Sequence, residues 1–234
     1  MSKANLYGYR HSWLSKKEFR GVPCLPKNIL CIAKNYPSSP EEKKHDGNPF
    51  IFSKCLTSLI PFEEPILLNG RDDVHYETDL ALLIGKHLHA TKSGHDLLTC
   101  CRSVSGLGVA LDLTLKSLQN DIKARGGPWE LAKAFDRSCP LSPFVSADAN
   151  WWETPRTVEL SIDGQIVQKQ STSEMIYNCG EILQYITQFI TLSPGDVVLT
   201  GTPSLPRPTQ PLKAGQRLIA LVDGVGSFET KVVD

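Results

Sequence analysis

Two short runs of the sequence place acidic side chains in apolar surroundings. Glu77 and Asp79 lie two positions apart in HYETDLALLIG, and Asp112 lies between leucines in GVALDLTL. Alternate residues of a strand share a face, so the first two carboxylates are predicted to point the same way. A lone buried charge at Asp112 would be costly, and three oxygen donors on neighbouring strands suit a hard divalent cation. A second interpretation stays open here: Glu77 and Asp79 face solvent, and Asp112 pairs with a lysine.

The elements that must position these acids are predicted to be mostly short strands. Apolar runs predict the strands, and Asp163-Gly164 and Asp223-Gly224 each separate two of them, a strong hairpin signal. Helices are predicted at residues 91–104, with Thr91 or Ser93 as the cap, at 117–127 and at 173–190. This pattern favours an α+β fold, rich in β-structure, whose mixed sheets curl on themselves.

Length and charge narrow the classes of function. A chain of 234 residues suits one compact domain, here expected over 28–234 after an irregular segment at 1–27. The 25 basic and 25 acidic residues balance, which disfavours binding to nucleic acid or to an anionic membrane surface. The apolar runs are far shorter than the roughly 20 residues of a membrane span. A small-molecule ligand is the expected partner.

The cysteines bear on the compartment. There are seven, an odd number without paired CxxC spacing, so we expect reduced, buried thiols in an intracellular, cytoplasmic protein. The N-terminal region lacks the apolar core of a secretion signal. Because it carries Arg10, Lys16, Lys17 and Arg20 against Glu18, a short mitochondrial presequence is the alternative.

Four motifs together resemble one known family. HYETDLALLIG, ALDLT, PWELAKAFDRSCPLSPF and GDVVLTGTP, in this order and spacing, are similar to the fumarylacetoacetate hydrolase family. The likeness is closest to its short single-domain members, which include acylpyruvate hydrolases and oxaloacetate decarboxylases, and it extends from about Ile29 to the C-terminus. The resemblance implies the mixed β-sandwich roll of the family's C-terminal domain, a homodimer and a small 2-oxo acid substrate.

The resemblance also implies a metal centre. Its ligands would be Glu77, Asp79 and Asp112, with Asp79 standing where glutamate is usual, and Mg²⁺ or Mn²⁺ as the ion. The carboxylate and ketone oxygens of a 2-oxo acid can chelate such an ion, which acts as a Lewis acid while an enolate forms.

Further pocket residues follow from the same resemblance. Lys133 would be catalytic, because an ammonium near an enolate can neutralise developing charge; without the resemblance it would be interpreted as a surface lysine. Cys55 stands where a proline usually follows the pocket lysine of the stretch FSKC. The implied substrate-binding residues are Gln119, Gly201, Thr202, Lys34 and Lys54.

The loop after Asn35-Tyr36 departs from the hydrolytic relatives. Those relatives place a histidine and a glutamate three residues apart in a lid that activates a water, whereas this chain has Ser39 and Glu42. A serine alone is no general base. Chemistry without an activated water is therefore expected, either oxaloacetate decarboxylation or keto–enol isomerisation. The alternatives are a hydrolase whose catalytic base is Glu42 or His45, and a metabolite-binding pseudoenzyme.

Overall fold

The computed structural model describes residues 26–37, 47–204 and 210–234. Within them, the strands are β1 (Ile29–Ala33), β2 (Phe50–Ser53), β3 (Leu59–Pro61), β4 (Ile66–Leu67), β5 (Val74–His75), β6 (Thr78–Ile84), β7 (Val104–Leu111), β8 (Thr114–Leu115), β9 (Cys139–Leu141), β10 (Val145–Ser146), β11 (Thr157–Ile162), β12 (Gln165–Ser171), β13 (Val197–Leu199), β14 (Arg217–Val222) and β15 (Gly226–Val233). The α-helices are α1 (Leu97–Ser103), α2 (Lys116–Ala124), α3 (Glu130–Lys133) and α4 (Cys179–Ile186).

Two sheets face each other across the main core. The larger sheet has the order β2-β1-β13-β6-β7-β9-β3, with β10 added beside β7, and the smaller has the order β12-β11-β14-β15-β4. Apolar side chains of both sheets, among them Leu82, Val109, Leu160 and Ala220, belong to one buried cluster. The predicted β-rich α+β fold is confirmed.

The two Asp-Gly pairs form the predicted hairpins. Asp163 and Gly164 both have positive φ, at 51° and 82°, as a type I′ turn requires, and they join β11 to β12. Asp223 and Gly224 lie in the turn between β14 and β15. Both hairpins belong to the smaller sheet, so local turn chemistry sets the connections of that layer.

Two helices begin later than predicted. The side chain of Asp96, and not Thr91 or Ser93, caps α1 by accepting a hydrogen bond from the Thr99 amide at 2.9 Å. Residues 91–94 form a turn, in which the Gly94 amide donates to the Thr91 carbonyl. In the 173–190 region, α4 covers only Cys179–Ile186, because Asn178 caps it.

The thiols agree with the expectation except at one position. The cysteines of the described residues are all free, and Cys55 is exposed rather than buried. No helix among the described residues is long and apolar enough to cross a membrane. Most of the predicted 1–27 segment, together with Ser39, Glu42 and His45, lies outside the described residues.

Candidate active site

The register between β6 and β7 brings the acidic residues together. Thr78 pairs with Leu111, and the Asp112 amide donates to the Glu77 carbonyl at 2.7 Å, so Glu77 and Asp112 are adjacent where these strands meet the site. Asp79 is 2% exposed and Asp112 is 3% exposed. The interpretation with Asp79 facing solvent is therefore wrong, whereas the pairing of Asp112 with a lysine is present.

Lys133 bridges two of the acids. It ends α3, it is 2% exposed, and its Nζ lies 2.7 Å from Glu77 Oε2 and 2.6 Å from Asp112 Oδ2. The interpretation of Lys133 as a surface lysine is therefore wrong. Charge-assisted hydrogen bonds of this kind are short and strong, so the ammonium is held in one place beside the acidic cluster.

Lys54 is a second internal cation. Its Nζ lies 2.9 Å from Asp112 Oδ1 and donates to the carbonyl oxygens of Ser138 and Lys133 and to Ser138 Oγ. Its side chain has no exposed area. The ammonium is thus directed at protein groups, in contrast to the substrate contact that the resemblance implies, and it fixes the orientation of Asp112.

The acids and the lysines perturb one another's pKa values. Burial, followed by the charges of Asp112 and Glu77, holds the pKa of Asp79 well above its usual range. For Asp112 burial acts upward, but Lys133 and Lys54 outweigh it and lower the pKa. Burial opposes the charge of Lys133, yet Asp112 and Glu77 raise its pKa. The two carboxylates therefore favour the ammonium form of Lys133, which is suited to stabilising negative charge.

The carboxylate oxygens of Glu77, Asp79 and Asp112 are of the type that binds a divalent cation, although they do not surround one position. No three His, Cys, Asp or Glu side chains of the described residues are arranged around one common ion position, and Lys133 lies between Glu77 and Asp112. However, Asp79 Oδ1 is buried and has no hydrogen-bond partner among the described residues. A buried carboxylate oxygen without a partner calls for a bound group, and oxygen-only ligands suit Mg²⁺ or Mn²⁺.

The segment that follows β13 contains Gly201 and contacts the site. Gly201 has φ of +94°, and a Cβ there would lie 2.6 Å from Asn35 Cβ, so only glycine permits this approach. Its amide donates to Asp79 Oδ2 at 2.9 Å. The Thr202 hydroxyl donates to the Thr78 carbonyl at 3.0 Å. The turn thereby fixes Asp79 through Oδ2, whereas Oδ1 has no partner among the described residues.

Two residues in this region were not predicted. Gln168 of β12 is buried, and its Nε2 donates to Thr202 Oγ1 at 2.7 Å and to the Pro203 carbonyl at 2.9 Å, which ties the smaller sheet to the turn. The Tyr36 hydroxyl is buried and meets no hydrogen-bond partner within the described residues. The only sequence signal for Gln168 is an amide within an alternating strand, which is common on exposed faces as well.

The remaining predicted pocket residues lie on two elements. Gln119 of α2 is 3% exposed, and its Oε1 has no hydrogen-bond partner in the ranges that the structure describes. Lys34 follows β1 with φ of 56° and is exposed, its Nζ 5.9 Å from the centroid of the Phe50 ring. The structure thus brings Glu77, Asp79 and Asp112 together with Lys133, while Lys34 lies at the surface.

Residues 28–233 match the family of the fumarylacetoacetate (FAA) hydrolase C-terminal domain. The chain belongs to the fumarylacetoacetate hydrolase family. The match confirms the family predicted from the four motifs.

Two relatives are similar to this protein over most of its length. The chain is 38% identical over 210 residues to the oxaloacetate tautomerase YcgM of Escherichia coli, which covers 88% of this chain and 92% of that protein. It is 35% identical over 194 residues to the mitochondrial oxaloacetate decarboxylase of Dictyostelium discoideum, covering 79% of this chain and 85% of that protein.

A solved structure gives a similar fold. The fumarylpyruvate hydrolase of Pseudomonas aeruginosa, in complex with Mn²⁺ and pyruvate, superposes with a TM-score of 0.79 at 28% identity, covering 89% of this chain and 90% of that one. The chain is therefore an enzyme of this family, as predicted, and the fold class is confirmed.

Proposed function

We propose that this enzyme catalyses keto–enol tautomerisation of oxaloacetate, with the help of one divalent cation bound by Glu77, Asp79 and Asp112. The observation that carries the proposal is the position of Lys133, whose Nζ lies within 2.7 Å of two of these carboxylates. A fixed ammonium stabilises an enolate and needs no activated water. The names of the E. coli and Dictyostelium relatives support oxaloacetate as the substrate.

Each residue of the site has its own role in the proposed reaction. When bound, the cation supplies Lewis acidity toward the oxygens of a 2-oxo acid. Lys133 holds positive charge beside the forming enolate oxygen, and Lys54 keeps Asp112 in place. The Gly201 amide fixes Asp79, and Gln168 fixes Thr202. Tautomerisation moves one proton between C3 and the oxygen on C2, and we propose that Glu42, which is also a candidate base for hydrolysis, carries it.

Two other reactions remain candidates on specific grounds. Decarboxylation of oxaloacetate would break the C3–C4 bond, release CO2 and leave the enolate of pyruvate, whose charge the same groups would stabilise, and the Dictyostelium relative bears that name. Hydrolysis of an acylpyruvate is favoured by the fold shared with the fumarylpyruvate hydrolase, but it requires a base to activate water. Glu42 or His45 would have to supply it, since the sequence has Ser39 at the histidine position.

The decisive experiment compares reactions in one preparation. We expect Mg²⁺-dependent tautomerisation of oxaloacetate to exceed hydrolysis of acetylpyruvate. Ser39→His should raise the hydrolysis, by up to the roughly 10²- to 10⁴-fold that general-base assistance provides, and should leave tautomerisation nearly unchanged. Both reactions can be followed by ultraviolet absorbance.

The outcomes separate the candidates. Brisk acetylpyruvate hydrolysis by the unmodified enzyme would contradict the proposal, and loss of that activity in His45→Ala would identify the substitute base. If no reaction exceeded the background of the metal ion alone, the pseudoenzyme would be the better assignment.

Metal binding can be tested without turnover. A cation at 100 times its Kd should stabilise the native state by about 2.7 kcal/mol, seen as a rise in melting temperature with Mg²⁺ or Mn²⁺. Asp79→Asn should abolish this rise. In EDTA the variant should melt at or above the unmodified protein, because it replaces a buried carboxyl group that no lysine of the described residues contacts. A metal-induced rise retained in Asp79→Asn would remove Asp79 from the ligand set.

The assembly and the compartment stay proposals. We propose a homodimer, as the resemblance implies, and a cytoplasmic location with the mitochondrion as the alternative. The relatives named above include one described as mitochondrial.

A further inference from the structure

One face of α2 borders the acidic centre. Lys116, Gln119 and Lys123 are spaced three and four residues apart, so they lie along the same side of the helix. Lys116 Nζ lies 3.9 Å from Glu77 Oε1, and Gln119 is buried, with no hydrogen-bond partner for its Oε1 in the described part of the chain. At 1.5 Å of rise per residue, Lys123 lies about 10 Å along the axis from Lys116. The helix therefore extends basic charge outward from the acids.

Aromatic rings link Lys123 to the centre. Its Nζ lies 4.6 Å from the centroid of the Trp129 ring, and Trp129 packs against Phe52 at a centroid distance of 6.0 Å. Lys133 Nζ in turn lies 5.0 Å from the centroid of Phe52. The faces of Trp129 and Phe52 thus hold two ammonium groups on one continuous wall. A ring face positions an ammonium without neutralising its charge.

The charge around Lys123 is predominantly positive. Lys123 is exposed; partial burial, followed by the charges of Lys116 and Lys133, lowers its pKa, Glu77 opposes this shift, and Lys34 adds to it. Among the described residues Lys123 forms no ion pair, whereas Lys133 and Lys54 are both engaged by Asp112. An anion supplied from outside would relieve this repulsion.

We infer that Lys123 is a specificity-determining residue that binds the substrate carboxylate remote from the acidic centre. The site would thereby select doubly charged 2-oxo acids over singly charged ones. The inference rests on the proposed function, in which the 2-oxo acid end of the substrate lies at Glu77, Asp79 and Asp112. The second carboxylate then extends along the wall toward Lys123, with Gln119 between the two ends.

The test compares oxaloacetate with its 4-methyl ester, which lacks the remote charge. In Lys123→Met, the kcat/KM for oxaloacetate should fall roughly 10-fold or more, the usual loss for one hydrogen bond to a charged group. The fall should appear in KM, and the value for the ester should stay nearly unchanged. Lys123→Arg should keep most of the preference for oxaloacetate.

A matched control removes a lysine elsewhere. Lys92 is exposed in the turn at residues 91–94, and Lys92→Met should change neither substrate's kinetics. An unchanged ratio of the two kcat/KM values in Lys123→Met, with an unchanged melting temperature, would overturn the inference. If the unmodified enzyme turned over neither compound, the proposed function would be wrong. Calorimetric binding of the two compounds to both proteins would then decide the part played by Lys123.

Discussion

Asp112→Asn is expected to lower the free energy of unfolding by about 3–5 kcal/mol, the usual cost of removing one partner from a buried ion pair. Asp112 lies between Lys133 at 2.6 Å and Lys54 at 2.9 Å, and both lysines are buried. Asparagine keeps the volume, so the loss is electrostatic and leaves no cavity. Urea denaturation in EDTA measures the change without any contribution from bound metal.

An exposed ion pair in the same chain provides the control. Arg217 and Glu229 lie on neighbouring strands of the smaller sheet and pair at 2.5 Å, but both side chains are more than half exposed. Pairs of this kind contribute little, so Glu229→Gln should hardly move the denaturation midpoint. Equal midpoints for Asp112→Asn and Glu229→Gln would show that the internal lysines do not depend on Asp112.

Asp79→Asn should behave in the opposite way to Asp112→Asn, although both residues are buried acids. Within the described part of the chain, Asp79 accepts one hydrogen bond, from the Gly201 amide, and has no lysine at hydrogen-bond distance, while Asp112 has two. The loss of stability should therefore follow the lysine contacts and not burial alone. This contrast separates the contribution that each acid makes to the fold from its proposed role as a metal ligand.

The fold was predictable where the signals are local. The pair Asp163-Gly164 predicts a hairpin from the sequence alone, because few residues other than Asn, Asp and Gly adopt positive φ at low cost. The starts of α1 and α4 were not predictable to the residue. Several polar side chains near each start could cap, and tertiary contacts such as the Thr91 amide to the Thr187 carbonyl at 2.9 Å decide between them.

The acidic residues of the site were predictable from the sequence, whereas the contacts of its lysines were less so. Glu77 and Asp79 stand out because a period of two puts both on one side of a strand. The contact of Lys54 with Asp112 joins β2 to the end of β7, and nothing local in the sequence encodes it. The same holds for Gln168, which reaches Thr202 from another sheet. Side chains that meet only through the tertiary fold leave no periodic signal.

Lys133→Met is expected to reduce turnover by roughly 10²- to 10³-fold, the usual loss for one preorganised donor. The ammonium lies at Glu77 and Asp112 before any substrate arrives, so no reorganisation is needed when the enolate charge develops. Metal affinity should change far less, because the three carboxylates remain. Turnover is therefore measured at saturating Mg²⁺, and affinity by calorimetry on the same variant.

Two further measurements make the result for Lys133 specific. Lys133→Met also removes a partner from two carboxylates, so its melting temperature with Mg²⁺ must be recorded to show that the enzyme is folded during the assay. Lys133→Arg keeps the charge but changes its shape, and it should recover part of the turnover. A rate unaltered in Lys133→Met would remove this ammonium from the reaction. If the methionine and arginine variants lost turnover equally, a positive charge at this position would not be sufficient. The placement of a primary ammonium against both Glu77 and Asp112, which both variants alter, would then be required.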